Sequence, residues 1–232
     1  MMLLLISVLP VIIILIYIYY KDKYEKEPLG LLLKAFLGGI LSAVATLLLF
    51  LPFNDFGMEA DNIVAGALIK AFGWAAVPEE ALKFIFLYWI IWKNHNFNEY
   101  YDGIVYAVSV SLGFACLENV LYVTQHGITV GITRAFLSVP AHALFGVAMG
   151  YYLSLARFTH TNTSLNLFKS LFYAILLHGI YDFLIFLFAD SAGYSPLLSL
   201  ALVIVFFIFV AVLWRSGLRK INRHIQLSVF RG

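Results

Sequence analysis

The stretch PLLSLALVIVFFIFVAVLW, residues 196–214, decides the fold class of this chain. It contains no ionisable side chain, and the basic segment RSGLRK, residues 215–220, follows at once. A helix needs about 20 predominantly apolar residues to cross the hydrocarbon core of a bilayer. The pattern therefore predicts a membrane-spanning helix whose basic end stays on the cytoplasmic side.

Further apolar runs of similar length occupy most of the 232-residue chain. They predict additional spans at about 3–20, 30–51, 63–92, 103–123, 138–156 and 171–188. The chain is 62% hydrophobic and 12% charged, whereas roughly a quarter of the residues in soluble domains are charged. This composition excludes a soluble enzyme, a disordered tail and a nucleic-acid-binding protein. It predicts one all-α domain over residues 1–232, a polytopic transmembrane helical bundle with about seven or eight membrane helices.

The first run and the single cysteine narrow the class of protein further. The run at 3–20 has no small-residue cleavage site, and Lys21, Asp22 and Lys23 follow it directly. We therefore interpret it as a retained signal anchor.

Cys116 is the only cysteine, which excludes an intrachain disulfide and a metal site built from several thiolates.

Basic residues are distributed unevenly between the predicted loops. With the N-terminus outside, seven alternating crossings place 11 Lys and Arg residues, Arg231 among them, in the inside loops and the tail, and only Arg134 in an outside loop. The outside loop 54–62 carries Asp55, Glu59 and Asp61 and no base. Since cytoplasmic loops are enriched in Lys and Arg, we predict an N-out, C-in orientation.

The run at 63–92 is unusually long. Its 30 residues would form a helix of about 45 Å, which exceeds the thickness of a bilayer core. Pro78 lies at its middle, and proline fits the first turn of a helix far better than the interior. We predict one crossing that is broken or kinked there, with a new helix starting at Pro78. A re-entrant half-helix is the alternative.

Ionisable side chains inside a bilayer are costly unless they face the bundle interior or a water-filled cavity. Lys34 lies near a span end and is expected to extend its ammonium to the interface, and we interpret Lys70 as structural. Four histidines in loops or the tail are interpreted as solvated: His95, His126, His160 and His224. The candidates that remain are Glu79, Glu80, Lys83, Glu118, His142, His178 and Asp182.

Glu79, Glu80 and Lys83 form a Glu-Glu-x-x-Lys motif. On a helix the lysine can pair with either carboxylate, at spacings of three and four residues. One interpretation is a buried ion pair that fixes helix packing. The other is a general base, because two carboxylates face one ammonium and leave a surplus negative charge.

Glu118 and Asn119 lie in a helix whose small residues predict close helix packing. These small residues are Gly103, Ala107, Ser111 and Ala115. Asn119 fits an interhelical hydrogen bond, whereas Glu118 is harder to explain by packing.

Two histidines complete the candidate set. His142 follows Pro140 at a helix start, with Gly146 and Gly150 on its face; a neutral imidazole there both accepts and donates hydrogen bonds, as the positioning of water requires. His178 and Asp182 are four residues apart, which is typical of a histidine oriented by a carboxylate. The alternatives are an interhelical hydrogen bond and a local pair that holds helix geometry.

These polar residues fall between the middle and the outer end of their spans, which predicts one cluster that opens to the outside. The sequence contains no His-Glu-x-x-His helix and no Gly-x-Ser-x-Gly nucleophile. Water activated by a carboxylate with help from histidine, and therefore hydrolysis, is one interpretation. A proton-coupled transporter is equally open, since carboxylate–histidine chains also relay protons.

Four motifs, in this order, resemble those of the PrsW intramembrane proteases. They are PEEALK at 78–83, YDGIVY at 101–106 continuing to GFACLENVLY at 113–122, PAHAL at 140–144, and LHGIYD at 177–182. The resemblance extends from about residue 20 to the basic tail. It implies a glutamic-type protease of the CAAX-protease and bacteriocin-immunity superfamily in the bacterial plasma membrane. It also implies site-1 cleavage of a single-span anti-sigma factor on its extracytoplasmic side, which leads to sigma-factor activation in envelope stress.

The superfamily's motifs are matched with two departures. Its Glu-Glu motif falls on Glu79 and Glu80, and its last motif falls on His178, with Asp182 at the later polar position. Its second motif is often Phe-x-x-x-His, but here Glu118 stands four residues after a phenylalanine. The two-histidine geometry of the CAAX enzymes therefore does not transfer directly, and His142 is the candidate second histidine.

The hypothesis from the sequence is a metal-free intramembrane endopeptidase without a cofactor. Glu79 or Glu80 is the general base on water, and His142 positions that water. His178, oriented by Asp182, stabilises the oxyanion or protonates the leaving amine. The remaining candidates hold the carboxylates and line the cavity: Lys83, Glu118 and Asn119.

The expected partners are a single-span membrane protein substrate and the lipid bilayer, and no nucleic acid. One alternative is a zinc-dependent membrane metalloprotease, for which the candidate ligands are Glu79, Glu118, His142 and His178. The other is a non-catalytic membrane protein of the immunity type or a proton-coupled transporter.

Overall fold

A computed structural model describes residues 2–50, 62–159, 161–191 and 195–230, and all regular structure within these ranges is helical. The elements are α1 (Met2–Lys21), α2 (Leu29–Phe50), α3 (Ile63–Leu68), a π-helical segment (Ile69–Ala76), α4 (Val77–Ile91), α5 (Tyr100–His126), α6 (Ile128–Phe136), α7 (Ser138–Phe158), α8 (Thr163–Ser191) and α9 (Pro196–Gln226). Asp55, Glu59, Asp61, His160 and Arg231 lie outside the described residues.

Six helical segments of the described ranges are long and apolar enough to cross a membrane. They are Leu3–Lys21, Leu29–Phe50, Tyr100–His126, Ile128–Phe158, Thr163–Ser191 and Pro196–Gln226. Their outer faces carry large exposed apolar side chains such as Leu48 on α2 and Ile208 on α9. Such a surface requires lipid around it, so the prediction of a polytopic helical membrane bundle is confirmed.

Helix α5 forms the centre of the bundle and packs against α1, α2, α4, α6 and α7. Its small residues allow close helix packing, as the sequence predicts, and the structure shows that the partner is α7: a Cβ atom on Gly103 would lie 2.8 Å from the carbonyl oxygen of Gly150, and one on Gly146 would lie 2.8 Å from the Ser111 hydroxyl. A second close approach, which the sequence analysis missed, joins Gly39 of α2 to Gly113 of α5. These contacts hold the helices that carry the polar residues at short separations.

The long run around Pro78 is helical throughout, so the predicted break is a change of helix type. Ile69–Ala76 is π-helical, and the N–H of Val77 donates to the carbonyl of Phe72, five residues earlier. Pro78 then lies in the first turn of α4, as predicted. Proline lacks an N–H and its ring crowds the preceding turn, and a wider π-helical turn accommodates both.

The segment before α7 contradicts the predicted outside loop. Helix α6 runs back along α5, because Gly131 packs beside Val123 and Arg134 reaches Glu118, one to two turns nearer the start of α5. The predicted span 138–156 is therefore too short at its start, and the apolar segment begins at Ile128. Arg134 is not a loop residue.

Several helices also extend beyond their predicted ends. Helix α9 continues to Gln226 and includes the basic residues that follow 214, because Arg and Lys are good helix formers although they are not apolar. The prediction that His224 is solvated is wrong: it is fully buried, and its ring stacks on Tyr151 with centroids 4.2 Å apart. His95 and His126 are exposed, as predicted.

The two lysines that were set aside lie away from the polar cluster. Lys34 is exposed near the start of α2. Lys70, on the π-helical segment, forms an ion pair with Asp190 of α8, with 3.1 Å between Nζ and Oδ2. This pair fits the structural role predicted for Lys70.

Candidate functional site

A cavity of about 290 Å³ opens between the π-helical segment, α4, α5, α6, α7 and α8. Aromatic and aliphatic side chains form much of its wall, including Phe145, Tyr181 and Ile185. Its ionisable lining residues are Glu79, Glu118, Arg134, His142, His178 and Asp182. These six residues come from five different helices, and all of them except Arg134 were predicted from the sequence.

The Glu-Glu-x-x-Lys motif folds as the helical spacing predicts, but its two carboxylates have different surroundings. Lys83 Nζ lies 2.7 Å from Glu80 Oε1 and 3.5 Å from Glu79 Oε2. The ammonium also lies 3.8 Å from the centre of the Phe114 ring, a favourable cation–π position. The Glu80 side chain is fully buried, whereas 13% of the Glu79 side chain is exposed and lines the cavity. Of the two carboxylates, Glu79 is therefore the one that a water molecule in the cavity can reach.

His178 is held between two carboxylates. Its Nδ1 lies 2.9 Å from Glu80 Oε1, and its Nε2 lies 3.2 Å from Asp182 Oδ2. The pairing with Asp182 is the one predicted from their spacing on α8. The contact with Glu80 joins α8 to α4 and could not be predicted, because it depends on how the two helices pack. Phe145 stacks on the imidazole, with centroids 4.9 Å apart, and fixes its plane.

His142 connects α7 to both α4 and α5. Its Nδ1 lies 3.3 Å from Lys83 Nζ, and its Nε2 lies 3.0 Å from Glu118 Oε2. Because an ammonium only donates and a carboxylate accepts, Nδ1 is assigned as an acceptor and Nε2 carries the proton. Helix α7 begins at Ser138, so His142 lies in the second turn and not at the helix start that we expected.

Arg134 is the site residue that the sequence analysis missed. Its Nη2 donates to Glu118 Oε2 at 2.8 Å, and its Nε donates to Asn119 Oδ1 at 3.0 Å. Asn119 Nδ2 in turn donates to the carbonyl of Ser7 on α1 at 2.8 Å. The residues around Arg134 are mostly apolar, and an arginine in such a segment was itself a pointer to a buried partner.

The contacts join every predicted site residue into one network, but not all of them line the cavity. Glu80, Lys83 and Asn119 have no exposed side-chain surface and lie behind the cavity wall. The expectation that Lys83 and Asn119 line the cavity is therefore wrong. Both instead hold the residues that do line it.

The charges of the network do not balance. The carboxylates of Glu79, Glu80, Glu118 and Asp182 face two permanent cations, Lys83 and Arg134. One carboxylate oxygen, Glu80 Oε2, is buried without a hydrogen-bond partner among the described residues. A surplus of buried negative charge requires protons or a bound cation.

Glu79, His142 and His178 are suited to hold a metal ion. Each offers one ligand atom, and these atoms lie within 4.8 Å of one another. Two histidines and one glutamate form a common ligand set for catalytic zinc. Each histidine also has a carboxylate at a ring nitrogen, Glu118 for His142 and Glu80 for His178, which is the usual support of a zinc ligand. The zinc alternative of the sequence analysis names Glu118 as a fourth ligand, but the ligand group found among the described residues does not include it.

Comparison with known proteins covers most of the chain. A family model described as "PrsW family intramembrane metalloprotease" matches residues 27–213. The chain is 39% identical to the protease PrsW of Geobacillus kaustophilus over 217 residues, covering 94% of this chain and 89% of that protein. It is 37% identical to the protease PrsW of Bacillus subtilis over 226 residues, covering 97% and 96%. No solved structure matches the chain.

Proposed function

The chain belongs to the PrsW family of intramembrane proteases, and on that premise we propose that the cavity is where it hydrolyses a peptide bond of a membrane-embedded substrate. The observation that carries this proposal is the convergence of Glu79, His142 and His178 within 4.8 Å. These side chains lie at a cavity inside a bundle whose outer faces are apolar. Hydrolysis within a membrane requires such a pocket, because the helices around it must admit water to the peptide bond and separate that water from the lipid.

Metal-assisted hydrolysis is the mechanism that the donor set and the family's description as a metalloprotease favour. Glu79, His142 and His178 would hold a zinc ion, which when bound supplies a water nucleophile at neutral pH and polarises the peptide carbonyl. Glu118 accepts the Nε2–H of His142, and Glu80 accepts the Nδ1–H of His178, so both rings are held in one orientation. Asp182 lines the cavity beside His178 and is placed to accept a proton from the attacking water.

A metal-free mechanism is the second candidate, and the position of Lys83 favours it. The ammonium lies 3.5 Å from Glu79 Oε2 and 3.3 Å from His142 Nδ1, so a cation of the chain itself already contacts two members of the ligand set. Glu79 would then be the general base, and His178, oriented by Asp182, would donate to the leaving amine. Glu80 suits neither the role of general base nor that of proton donor, because its carboxylate is bonded to both Lys83 and His178 and its side chain is fully buried.

The proposed substrate is a single-span anti-sigma factor that is cut on its extracytoplasmic side. This requires an N-out, C-in bundle of seven crossings, with the run 63–91 as the seventh beside the six long segments. The basic residues at the end of α9 support that orientation. Because Arg134 contacts Glu118 and does not lie in an outside loop, the excess of Lys and Arg on the inside is larger than the sequence analysis counted. Mapping the cut by mass spectrometry tests the orientation, because a cut at the cytoplasmic end of the substrate would reverse it.

The test of catalysis uses purified protein in detergent with a single-span membrane protein as substrate. We expect wild type to cut it, and Glu79→Gln to abolish cutting. Asp190→Asn is the matched control, because it also replaces a carboxylate in an ion pair but lies outside the cavity lining. A chelator separates the mechanisms: loss of cutting that zinc restores supports the metal, and cutting that survives the chelator supports the metal-free base. Cutting that survives Glu79→Gln would contradict both.

A further inference from the structure

Arg134 of α6 contacts three residues of α5. Its guanidinium donates to two consecutive residues of α5, Glu118 and Asn119, and lies over the ring of Tyr122 at 4.2 Å. Only 13% of its side chain is exposed. The planar fork of arginine suits such a double contact, which the point charge of lysine cannot reproduce.

The same oxygen of Glu118 receives both Arg134 and His142. Arg134 Nη2 lies 2.8 Å from Oε2, and His142 Nε2 lies 3.0 Å from it. Because the guanidinium can only donate, this oxygen is the acceptor in that contact, and it is placed to accept the imidazole N–H as well. The proton of His142 is then kept on Nε2, and Nδ1 is directed toward Lys83 and the Glu79 side of the cluster.

We propose that Arg134 is a positioning residue for hydrolysis, which acts through Glu118 to set the orientation and tautomer of His142. Helix α6 is thereby part of the working site, although no residue of it was a candidate from the sequence. The anchoring of Asn119 to Ser7 on α1 fixes the other end of the same contact. This inference rests on the proposed function, since it assigns Arg134 a role in that reaction.

The experiment compares Arg134→Gln, Arg134→Lys, Glu118→Gln and the double variant in detergent, with Arg157→Gln as the matched control. Arg157 lies in the last turn of α7 and contacts the Trp92 ring, away from the cavity. Two quantities are measured: the cleavage rate of a single-span substrate and the affinity for Zn²⁺ in competition with a chelator. The second does not depend on activity.

We expect Arg134→Gln to lower kcat, or the Zn²⁺ affinity, by about 10- to 100-fold, as is typical for groups that support a metal ligand. KM should change little, and Arg134→Lys should restore part of the loss. Because Arg134 acts through Glu118, the double variant should be no worse than Glu118→Gln alone. Arg157→Gln should match wild type.

Several outcomes would overturn the inference. They are wild-type kcat and Zn²⁺ affinity in Arg134→Gln, or losses that add in the double variant. If Arg134→Gln does not fold, the double variant should fold, because it removes the unpaired carboxylate together with the cation; a double variant that also fails to fold counts against Glu118 as the partner. A wild-type protein that cuts no substrate contradicts the proposed function, and the Zn²⁺ affinities then decide the role of Arg134 separately.

Discussion

The protein buries two groups of carboxylates, and it compensates their charge in opposite ways. The cavity cluster, Glu79, Glu80, Glu118 and Asp182, is paired with lysine, arginine and histidine. The terminal cluster, Asp22, Glu27, Glu99 and Asp102, lies where α1 ends and α5 begins, and each of its residues is at most 3% exposed. Within the described ranges, the ion pairs include no member of the terminal cluster.

Hydroxyl groups and backbone N–H groups take the place of cations in the terminal cluster. Tyr106 donates to Glu27, and Ser228 donates to Glu99. Asp102 accepts from the N–H of Glu99 at 2.7 Å as part of a capping box that starts α5. Burial raises the pKa of Asp22 to about 7, and it also raises the pKa of Glu27 and of Glu99. Burial therefore favours the protonated form of these carboxyl groups, whereas the carboxylates of the cavity cluster have cationic partners.

The largest expected effect separates the two clusters by activity. Glu79→Gln should lower kcat about 10²- to 10⁴-fold, because it removes either a metal ligand or the general base. Glu27→Gln should leave the kcat of the folded protein within about twofold of wild type, since distant sites act independently. Asp102, beside Glu27, is 16 residues from Glu118 on α5, or about 24 Å along the helix. Initial rates on a single-span substrate test both, and equal losses would show that the division into two clusters is wrong.

The second prediction concerns the stability of the cavity cluster. Lys83→Gln should lower the free energy of unfolding in detergent by about 3–5 kcal/mol, because it leaves two buried carboxylates without their cation. Lys70→Gln is the control: its pair with Asp190 is about one-third exposed on each side, and such pairs contribute about 0–1 kcal/mol. Denaturant unfolding followed by tryptophan fluorescence measures both. Similar small losses would mean that Lys83 does not hold the cluster together.

The contacts within one helix could be predicted from the sequence, and those between helices could not. Lys83 with Glu80, and His178 with Asp182, follow from spacings of three and four residues. The contact of His178 with Glu80 depends on the packing of α8 against α4, for which no motif of the sequence predicts a contact. Charge and depth were enough to predict one cluster, but not which carboxylate receives which histidine.

Two errors show why apolar runs alone are an incomplete guide. The predicted spans leave residues 124–137 as a loop, yet Ile128–Phe136 form α6, which brings Arg134 into the site. The sequence analysis places His224 in a solvated tail, yet α9 continues and buries it against Tyr151. In both cases helical structure lies beyond the end of a predicted apolar run.

The third prediction uses the raised pKa of Asp22 in the terminal cluster. The pKa of Asp22 is about 7 in the folded protein against an ordinary value of 3.8, so the folded state binds the proton more tightly than the unfolded state. This contribution to stability is complete below the ordinary pKa and is lost as the pH rises through about 7. Thermal unfolding in detergent should therefore occur at lower temperature as the pH rises from about 5 to about 8.

Asp22→Asn should flatten that dependence, because the amide keeps an acceptor for the N–H of Glu27 and cannot ionise. Asp190→Asn should leave the slope as it is in wild type, and comparing the two variants removes the contribution that the cavity histidines make in both. If Asp22→Asn leaves the dependence of the unfolding temperature on pH unchanged, another member of the cluster, and not Asp22, is the group that binds the proton.

The smallest expected effect tests whether the Glu27 carboxyl group is protonated when it accepts the hydrogen bond from the Tyr106 hydroxyl. Tyr106→Phe removes a hydroxyl that donates to Glu27, and Tyr101→Phe removes one that donates to the carbonyl of Ile18 at 3.1 Å. If burial keeps Glu27 neutral, both acceptors are neutral, and each change should cost about 1 kcal/mol in the free energy of unfolding near neutral pH. A charged acceptor would make the Tyr106 bond roughly twice as strong. A clearly larger loss for Tyr106→Phe would therefore show an ionised Glu27, and the terminal cluster would then hold buried charge as the cavity cluster does.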